Sequence, residues 1–323
     1  KSLVGGVQGG LPMTCVLTCM IFAAVSGSSV ATTFAIGAIL IPALIKHGYP
    51  TPYAAALQAT SAELGVIIPP SIPMILFGVS AEVSIGELFI AGVVPGLLIG
   101  CALMLFVHLY CRWKGWGLTD GDGRLGVGTA TVKAGFALLM PVIILGGIYG
   151  GIFTPTEAAA VGTIATTALA VISRELDFKG FTHAVFGAAE STAMIFLILL
   201  GADVLNAFLA LSQMPQALAQ WVLGSGMSPA AVLIGIILVY LLLGCVMDSL
   251  SMILLTIPIF LPIVMGLDYW GLNPTDKAIW FGILALMVVE IGLITPPVGM
   301  NVFIINSLAK DIPMRETFRG VLP

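Results

Sequence analysis

The sequence predicts an all-α integral membrane protein built as an inverted repeat, with two opposed re-entrant helical hairpins and two discontinuous transmembrane helices. Three observations point there. The chain is 59% hydrophobic and 9% charged, with a mean hydropathy of +1.12, where a soluble domain carries about 25% charged residues. The stretch "ELGVIIPP" (63–70) returns 227 residues later as "EIGLITPP" (290–297), identical at five of eight positions. Basic residues also segregate to one side of the apolar segments. The net charge of −4 is too small to point to nucleic acid.

The elements follow in order. A helix needs about 20 apolar residues to cross the hydrocarbon core. Arms 11–25 and 29–45 are shorter and are separated by "SGSS", so they read as one hairpin, 11–46. Such re-entrant backbone is tolerated only where protein or water covers it. The run 52–79 is apolar but broken by Pro69 and Pro70, and 88–111 is an ordinary span. These elements make a first repeat, 1–112. Spans 134–150 and 156–173 lie in a connecting region, 113–183. The second repeat, 184–323, has a span 184–211, a hairpin 229–266 whose arms 229–247 and 249–266 meet at Asp248, and a broken helix 278–308. Lys1 is not an initiator methionine and no cleavable leader opens the chain, so the sequence reads as a piece of a longer polypeptide.

If the first hairpin opens to the cytoplasm, Lys1, Lys46, Arg112, Lys114, Arg124, Lys133, Arg174, Lys179, Lys310, Arg315 and Arg319 all lie inside and Lys277 alone outside, 11 of 12 basic residues. That is the asymmetry of the positive-inside rule, and it places the N-terminal end of the chain in the cytoplasm. It also makes the second hairpin open from the opposite side.

Inverted repeats with broken helices mark secondary transporters, whose binding sites lie where the repeats meet at mid-membrane. The breaks have a chemical use. A helix interrupted in the membrane exposes carbonyls at the end of its first half and N–H groups at the start of its second. Proline is tolerated in that second start, where its missing N–H would have been unpaired, and Gly65 and Gly292 let the backbone open. Carbonyl ends suit a small cation and N-terminal ends an anion. No Lys or Arg falls in a predicted membrane interior, so an anionic substrate has to be held by helix ends, hydroxyls and cations bound beside it.

Four stretches, "FAAVSGSSVATTFAIGAILIPALIKHGYP", "GVIIPPSIPMILFGV", "GIFTPTEAAAVG" and "LITPPVGMNVF", resemble the large membrane subunit of tripartite ATP-independent periplasmic (TRAP) transporters, the DctM-type permease of the ion-transporter superfamily. The resemblance implies sodium-driven import of an organic acid (a dicarboxylate, keto acid or sialic acid) across the bacterial inner membrane by an elevator motion. It implies a small DctQ-type membrane subunit and a soluble periplasmic DctP-type binding protein as partners, Na⁺ as the coupling ion and no organic cofactor. Scaffold helices are expected before Lys1 and a further helix after Pro323. By position, a first sodium site draws on Ser26, Gly27, Ser28 and Ser29 with Gly65 and Ile68, and a second on Asp248, Ser249 and Ser251 with Gly292, Thr295 and Val298. Hydroxyl and carbonyl oxygens suit a hard cation. The substrate carboxylate falls to Ser28, Pro70, Ser71, Pro297 and Asn301. A dicarboxylate or citrate symporter that needs no binding protein is the nearest alternative.

Plainer readings stand beside these. The "SGSS" serines also suit a small-residue helix contact. Asp248 also suits a helix cap, and Thr154 with Glu157 a capping box. Glu63 and Glu290 read either as coupled acids or as structural carboxyls. Glu190 and Asp203 have no assigned role, and His108 reads as a packing residue near a helix end. Cys15, Cys19, Cys101, Cys111 and Cys245 form no C-x-x-C pair and read as apolar thiols. A membrane hydrolase using Ser28, or Asp203 with Asp248, lacks an activating base and any G-x-S-x-G or H-E-x-x-H pattern. A channel lacks its ring of charges.

Overall fold

A computed structural model describes residues 7–117, 127–308 and 313–321, with no description of the side chains of 127–134 and 136–138. Of the basic residues that orient the chain, Lys1, Arg124 and Lys310 and the Lys133 side chain lie outside the described residues. The described residues form helices and no strand. Four helices are long and apolar enough to cross a membrane: Ser29–Lys46, Ile85–Lys114, Pro155–Ile172 and Phe178–Ser212. The pair Thr51–Ile67 and Ile72–Ser80, bent by 43° at its break, is apolar enough to make a fifth crossing if the two act as one span.

Helices α1 (Gly10–Ser26) and α2 (Ser29–Lys46) are joined only by Gly27 and Ser28. Gly27 takes the left-handed conformation, φ 61°, and closes α1 with its N–H on Ala23, which glycine does without a side-chain penalty. Ser28 then caps α2 through its hydroxyl. The first broken helix is α3 (Thr51–Ala62), α4 (Leu64–Ile67) and, after the break, α5 (Ile72–Ser80). Helix α6 (Ile85–Lys114) carries a buried glycine stripe, with Gly92 and Gly96 along this break and Gly100 against Met20 of α1. A β-carbon at 92 would stand 2.6 Å from Met74 and one at 96 2.8 Å from Ile68. Small residues at four-residue spacing let membrane helices approach this closely.

Helices α7 (Val127–Tyr149) and α8 (Pro155–Ile172) pack as a pair, followed by α9 (Phe178–Ser212). Thr154 and Glu157 form the capping box at the start of α8. A short helix that the hydropathy pattern does not announce, α10 (Met214–Gly224), begins after Gln213 in a left-handed turn. Then α11 (Pro229–Gly244) and α12 (Ser249–Met265) repeat the two-arm arrangement of α1 and α2, linked by Cys245–Asp248. The second broken helix is α13 (Pro274–Leu293) and α14 (Met300–Leu308), and α15 (Met314–Val321) closes the described chain.

The core is divided between two clusters, and the half-helices cross between them. Met74 and Phe77 of α5 pack with the residues of α11, α12 and α13. Val302 and Ile305 of α14 pack with those of α1, α2 and α3. Each broken helix thus sends its second half into the apolar cluster of the other sequence copy. Lys277, the one basic residue read as facing outside, is buried and donates to the carbonyls of Met265 and Leu267 at 3.3 and 2.6 Å. It closes the carboxyl end of α12, where a cation suits the helix dipole.

Candidate functional site

Both breaks are tied to the hairpin that precedes them. The Ile72 N–H donates to the Gly27 carbonyl at 3.1 Å, and the Gly299 N–H to the Cys245 carbonyl at 3.2 Å. Ile72 and Gly299 occupy the same place in the two sequence copies, two residues after each second proline, and both Pro–Pro bonds, 69–70 and 296–297, are cis. Four buried or half-buried backbone groups that a break leaves orphaned are paired in this way, two in each copy.

At the first tip the expected residues come together. Gly65 lies against Ser28 so closely that a β-carbon would be 2.9 Å from both the Ser28 carbonyl oxygen and Thr32 Oγ1. Ser26 Oγ and Thr32 Oγ1 are 3.1 Å apart, and Thr32 donates to the Ser28 carbonyl at 2.7 Å. Ser29 is buried, and Ile68 ends α4 by donating its N–H to Leu64. The result is a patch of hydroxyl and carbonyl oxygens pressed on a bare glycine, a donor set that fits a hard monovalent cation. Thr32 belongs to this patch although the sequence reading passed over it. Its signal was available: it lies one helical turn beyond Ser28.

The Pro70 carbonyl lies over Gly27, where a β-carbon would approach it to 2.8 Å. Ser71 caps α5, its hydroxyl accepting from the Met74 N–H. In front of them opens a cavity of about 450 Å³ bounded by Ser26, Gly27, Pro70, Ser71 and, from α8, Thr163 and Thr166. It combines a helix N-terminus with hydroxyls and holds no basic side chain among its lining residues. The rest of the lining is apolar (Val25, Ile75, Phe89, Ile144 and Ile148), and the first N–H groups of α5 are already taken, by Gly27 and by Ser71 itself, so the hydroxyls are the polar groups left to a ligand. The α8 threonines were not anticipated, because nothing in the sequence tells which face of α8 meets the tip.

At the second tip the grouping is looser. Asp248 caps α12, and Oδ2 alone accepts from the N–H groups of Leu250 and Ser251, at 3.1 and 3.2 Å. Ser249 is buried. Gly292 packs on Gly244 of α11, not on Asp248, with a β-carbon at 292 only 2.7 Å from the Gly244 Cα. Thr295 turns its hydroxyl back to the Ile291 carbonyl at 2.6 Å, while Pro297 and Val298 are exposed. Cys245 donates its thiol to the Pro296 carbonyl at 3.0 Å. Asn301 lies away from this surface: it is fully buried and donates to Glu63 Oε1 at 2.9 Å.

Several other residues lie apart from both tips. Cys15 and Cys19 are buried against Gln58, and no cluster of three or more His, Cys, Asp or Glu side chains among the described residues could hold a metal. His108 lies 3.0 Å from the Gln8 carbonyl. Glu190 and Asp203 are exposed on α9.

The whole chain, residues 1–323, matches the family described as "Tripartite ATP-independent periplasmic transporter, DctM component". Among curated proteins, it is 40% identical over 324 residues to the C4-dicarboxylate TRAP transporter large permease protein DctM of Pseudomonas aeruginosa, covering 100% of the chain and 74% of that protein. It is 35% identical over 324 residues to the sialic acid TRAP transporter large permease protein SiaM of Vibrio cholerae, covering 100% of the chain and 74% of that protein. With the isethionate TRAP transporter permease protein DctMQ of Oleidesulfovibrio alaskensis it shares 39% identity over 323 residues, which is 99% of the chain and 50% of that protein. The chain thus spans from half to about three quarters of the length of these relatives, which are named as permeases and not as enzymes. Together with the apolar helices, this places it among multi-pass membrane proteins of the DctM component family of tripartite ATP-independent periplasmic transporters, and to that family it belongs.

Proposed function

We propose that the chain is the ion- and substrate-binding part of a large TRAP permease of the bacterial inner membrane, importing an organic acid anion with sodium. The observation that carries the reading is the junction of first tip and first break. There an oxygen patch suited to a cation adjoins a cavity of about 450 Å³ lined by hydroxyls and apolar side chains, with no basic residue. A cation bound beside Gly65 supplies the positive charge the cavity lacks, so anion and sodium bind better together than apart.

In this reading the two copies insert oppositely, α1–α2 and α11–α12 are re-entrant hairpins, and the N-terminal end of the chain is cytoplasmic. The unit moves against a scaffold as an elevator. The first repeat covers 1–112 and the second 184–323, joined by 113–183. Sodium takes oxygens from Ser26, Gly27, Ser28, Ser29, Gly65 and Ile68 at one tip, and from Asp248, Ser249, Ser251, Gly292, Thr295 and Val298 at the other. Oδ1 of Asp248 is the oxygen its cap leaves over. The carboxylate lies at Pro70, Ser71 and Ser28 on one side and Pro297 on the other. Asn301, turned to Glu63, leaves the substrate set. The names of the relatives put C4-dicarboxylates, sialic acid and isethionate, all anions, among the substrates to try. A small membrane subunit, in keeping with the name DctMQ, and a periplasmic binding protein complete the system.

The test is uptake by the full permease, reconstituted with its small subunit and binding protein, of radiolabelled succinate, sialic acid and isethionate. A sodium gradient should drive uptake of one of them, and Ser28→Ala and Thr295→Ala should each raise the sodium concentration needed for half-maximal rate. Uptake at full rate without sodium, or an unchanged sodium requirement in both variants, overturns the reading.

A further inference from the structure

Glu63 and Glu290 stand at the same place in the two sequence copies, and in the fold they meet. Both are buried, 7% and 0% exposed. The carboxyl of each interacts with that of the other, and Ser29 and Ser249 are further polar neighbours of Glu290. Those serines are themselves counterparts: each is buried and each is the first residue of the second hairpin arm, directly after the caps Ser28 and Asp248. Asn301, on the exchanged half-helix α14, donates to Glu63 Oε1. Glu63 Oε2 and both oxygens of Glu290 have no hydrogen-bond partner of ordinary geometry.

Counterparts from two copies related by a two-fold rotation touch each other only on the rotation axis. A pair of carboxyls there is the point at which both broken helices and both tips converge. Neighbours from both copies surround the pair: Asn301 bonds Glu63, and Ser29 and Ser249 border Glu290. We propose that Glu63 and Glu290 form a strut on the axis between the two copies, that it fixes the separation of Ser29 and Ser249, and that sodium bound at one tip is thereby felt at the other. Neither glutamate touches the ions; both are positioning residues. The axis rests on the inverted-repeat reading and the last part on the sodium reading, both given above.

Two measurements on the reconstituted full permease separate the ideas. The first needs no transport. In a double-mutant cycle of Glu63→Leu and Glu290→Leu, read by thermal unfolding in sodium-free buffer, the two losses should fall well short of adding, because either change alone breaks the strut. Additive losses overturn the proposal. The second is the sodium dependence of uptake. Glu290→Leu should lower the Hill coefficient to about one and weaken sodium activation by about fivefold or more, at a maximal rate that changes less. Glu290→Gln, whose amide still donates to Glu63 and accepts from serine, should restore both. A fall in maximal rate alone, or a failure of Glu290→Gln to rescue, overturns the strut. If Glu290→Leu does not fold, Glu290→Gln and Glu63→Gln decide the matter: each should keep the wild-type Hill coefficient, and loss in either refutes the proposal. Wild-type uptake indifferent to sodium sinks the transport reading instead and leaves the unfolding cycle standing.

Discussion

The two tips do one backbone job with different side chains. At the first, a two-residue link, Gly27–Ser28, meets a covered break: Pro69 and Ser71 are buried, as are Ser29, Thr32 and Thr33 of the following arm. At the second, a four-residue link, Cys245–Asp248, faces a break whose Pro296, Pro297 and Val298 are exposed. The first tip is neutral and rich in hydroxyls; the second carries a carboxylate and a thiol. Yet counterpart amides, Ile72 and Gly299, make counterpart bonds to the link. The hydrogen bonds that a broken helix requires are thus common to both, while the chemistry offered to a ligand is not. Paired backbone is obligatory in a membrane interior; side chains around it are free to differ.

The sharpest way to break this comparison is to crowd the glycine on each side. At Gly292 a methyl group would meet backbone, the Gly244 Cα at 2.7 Å, and backbone cannot turn aside. Gly292→Ala should cost about 1–3 kcal/mol, the usual cost of overpacking. At Gly65 the obstacle is the Ser28 carbonyl and the Thr32 hydroxyl, both at 2.9 Å. Gly65→Ala should therefore lose stability on a similar scale, since the Ser28 carbonyl is backbone too, and should lose more sodium activation, because the groups it displaces are the oxygen patch. Thermal unfolding and sodium titration of the same two proteins check this; a larger loss of sodium activation in Gly292→Ala would mean that the tips are not specialised as described.

A smaller effect separates capping from ion binding. Asp248→Asn keeps an oxygen for the N–H groups of Leu250 and Ser251 and removes the charge. Stability should change by less than the ~1 kcal/mol typical of losing a cap, while the sodium requirement rises. If sodium activation is unchanged, Asp248 is a cap and nothing more.

The smallest effect concerns orientation alone. With Cys101 replaced by serine, a cysteine at Lys46 should react with an impermeant maleimide only from the cytoplasmic side, and one at Trp270, 79% exposed between α12 and α13, only from the opposite side. Labelling of both from one side contradicts opposed hairpins without touching the packing described above.

Much of the fold was legible because membrane helices announce themselves by apolar length and their interruptions by glycine and proline. The arms 11–25 and 29–45 fall inside α1 and α2. The break at Pro69–Pro70 lies between α4 and α5, as the prolines require. Helices α10 and α15 were missed because short helices have no hydropathy run, and α10 starts from a left-handed Gln213 with φ 51°. The site was legible in part. Serines and glycines flanking a break mark a tip, but sequence spacing says nothing of distance across the fold. That two glutamates recur was visible, and their coupling was one of the two readings offered; the bond from Asn301 to Glu63 was not foreseen. Asn301 was placed by its position after the second break, whereas its neighbour is settled by the crossing of α14 into the first cluster. Asp248, read both as cap and as ligand, is seen to cap with one oxygen only.

The bonds from Ile72 to Gly27 and from Gly299 to Cys245 have a mechanical consequence. Each tip is fastened to the half-helix behind it, and each half-helix is buried in the other copy's cluster, so no hinge can open at the prolines without tearing both. If the chain carries an anion through the bilayer as proposed, the displacement turns on connectors outside this knot, such as the turns at Gly48 and Glu82, where the chain takes positive φ.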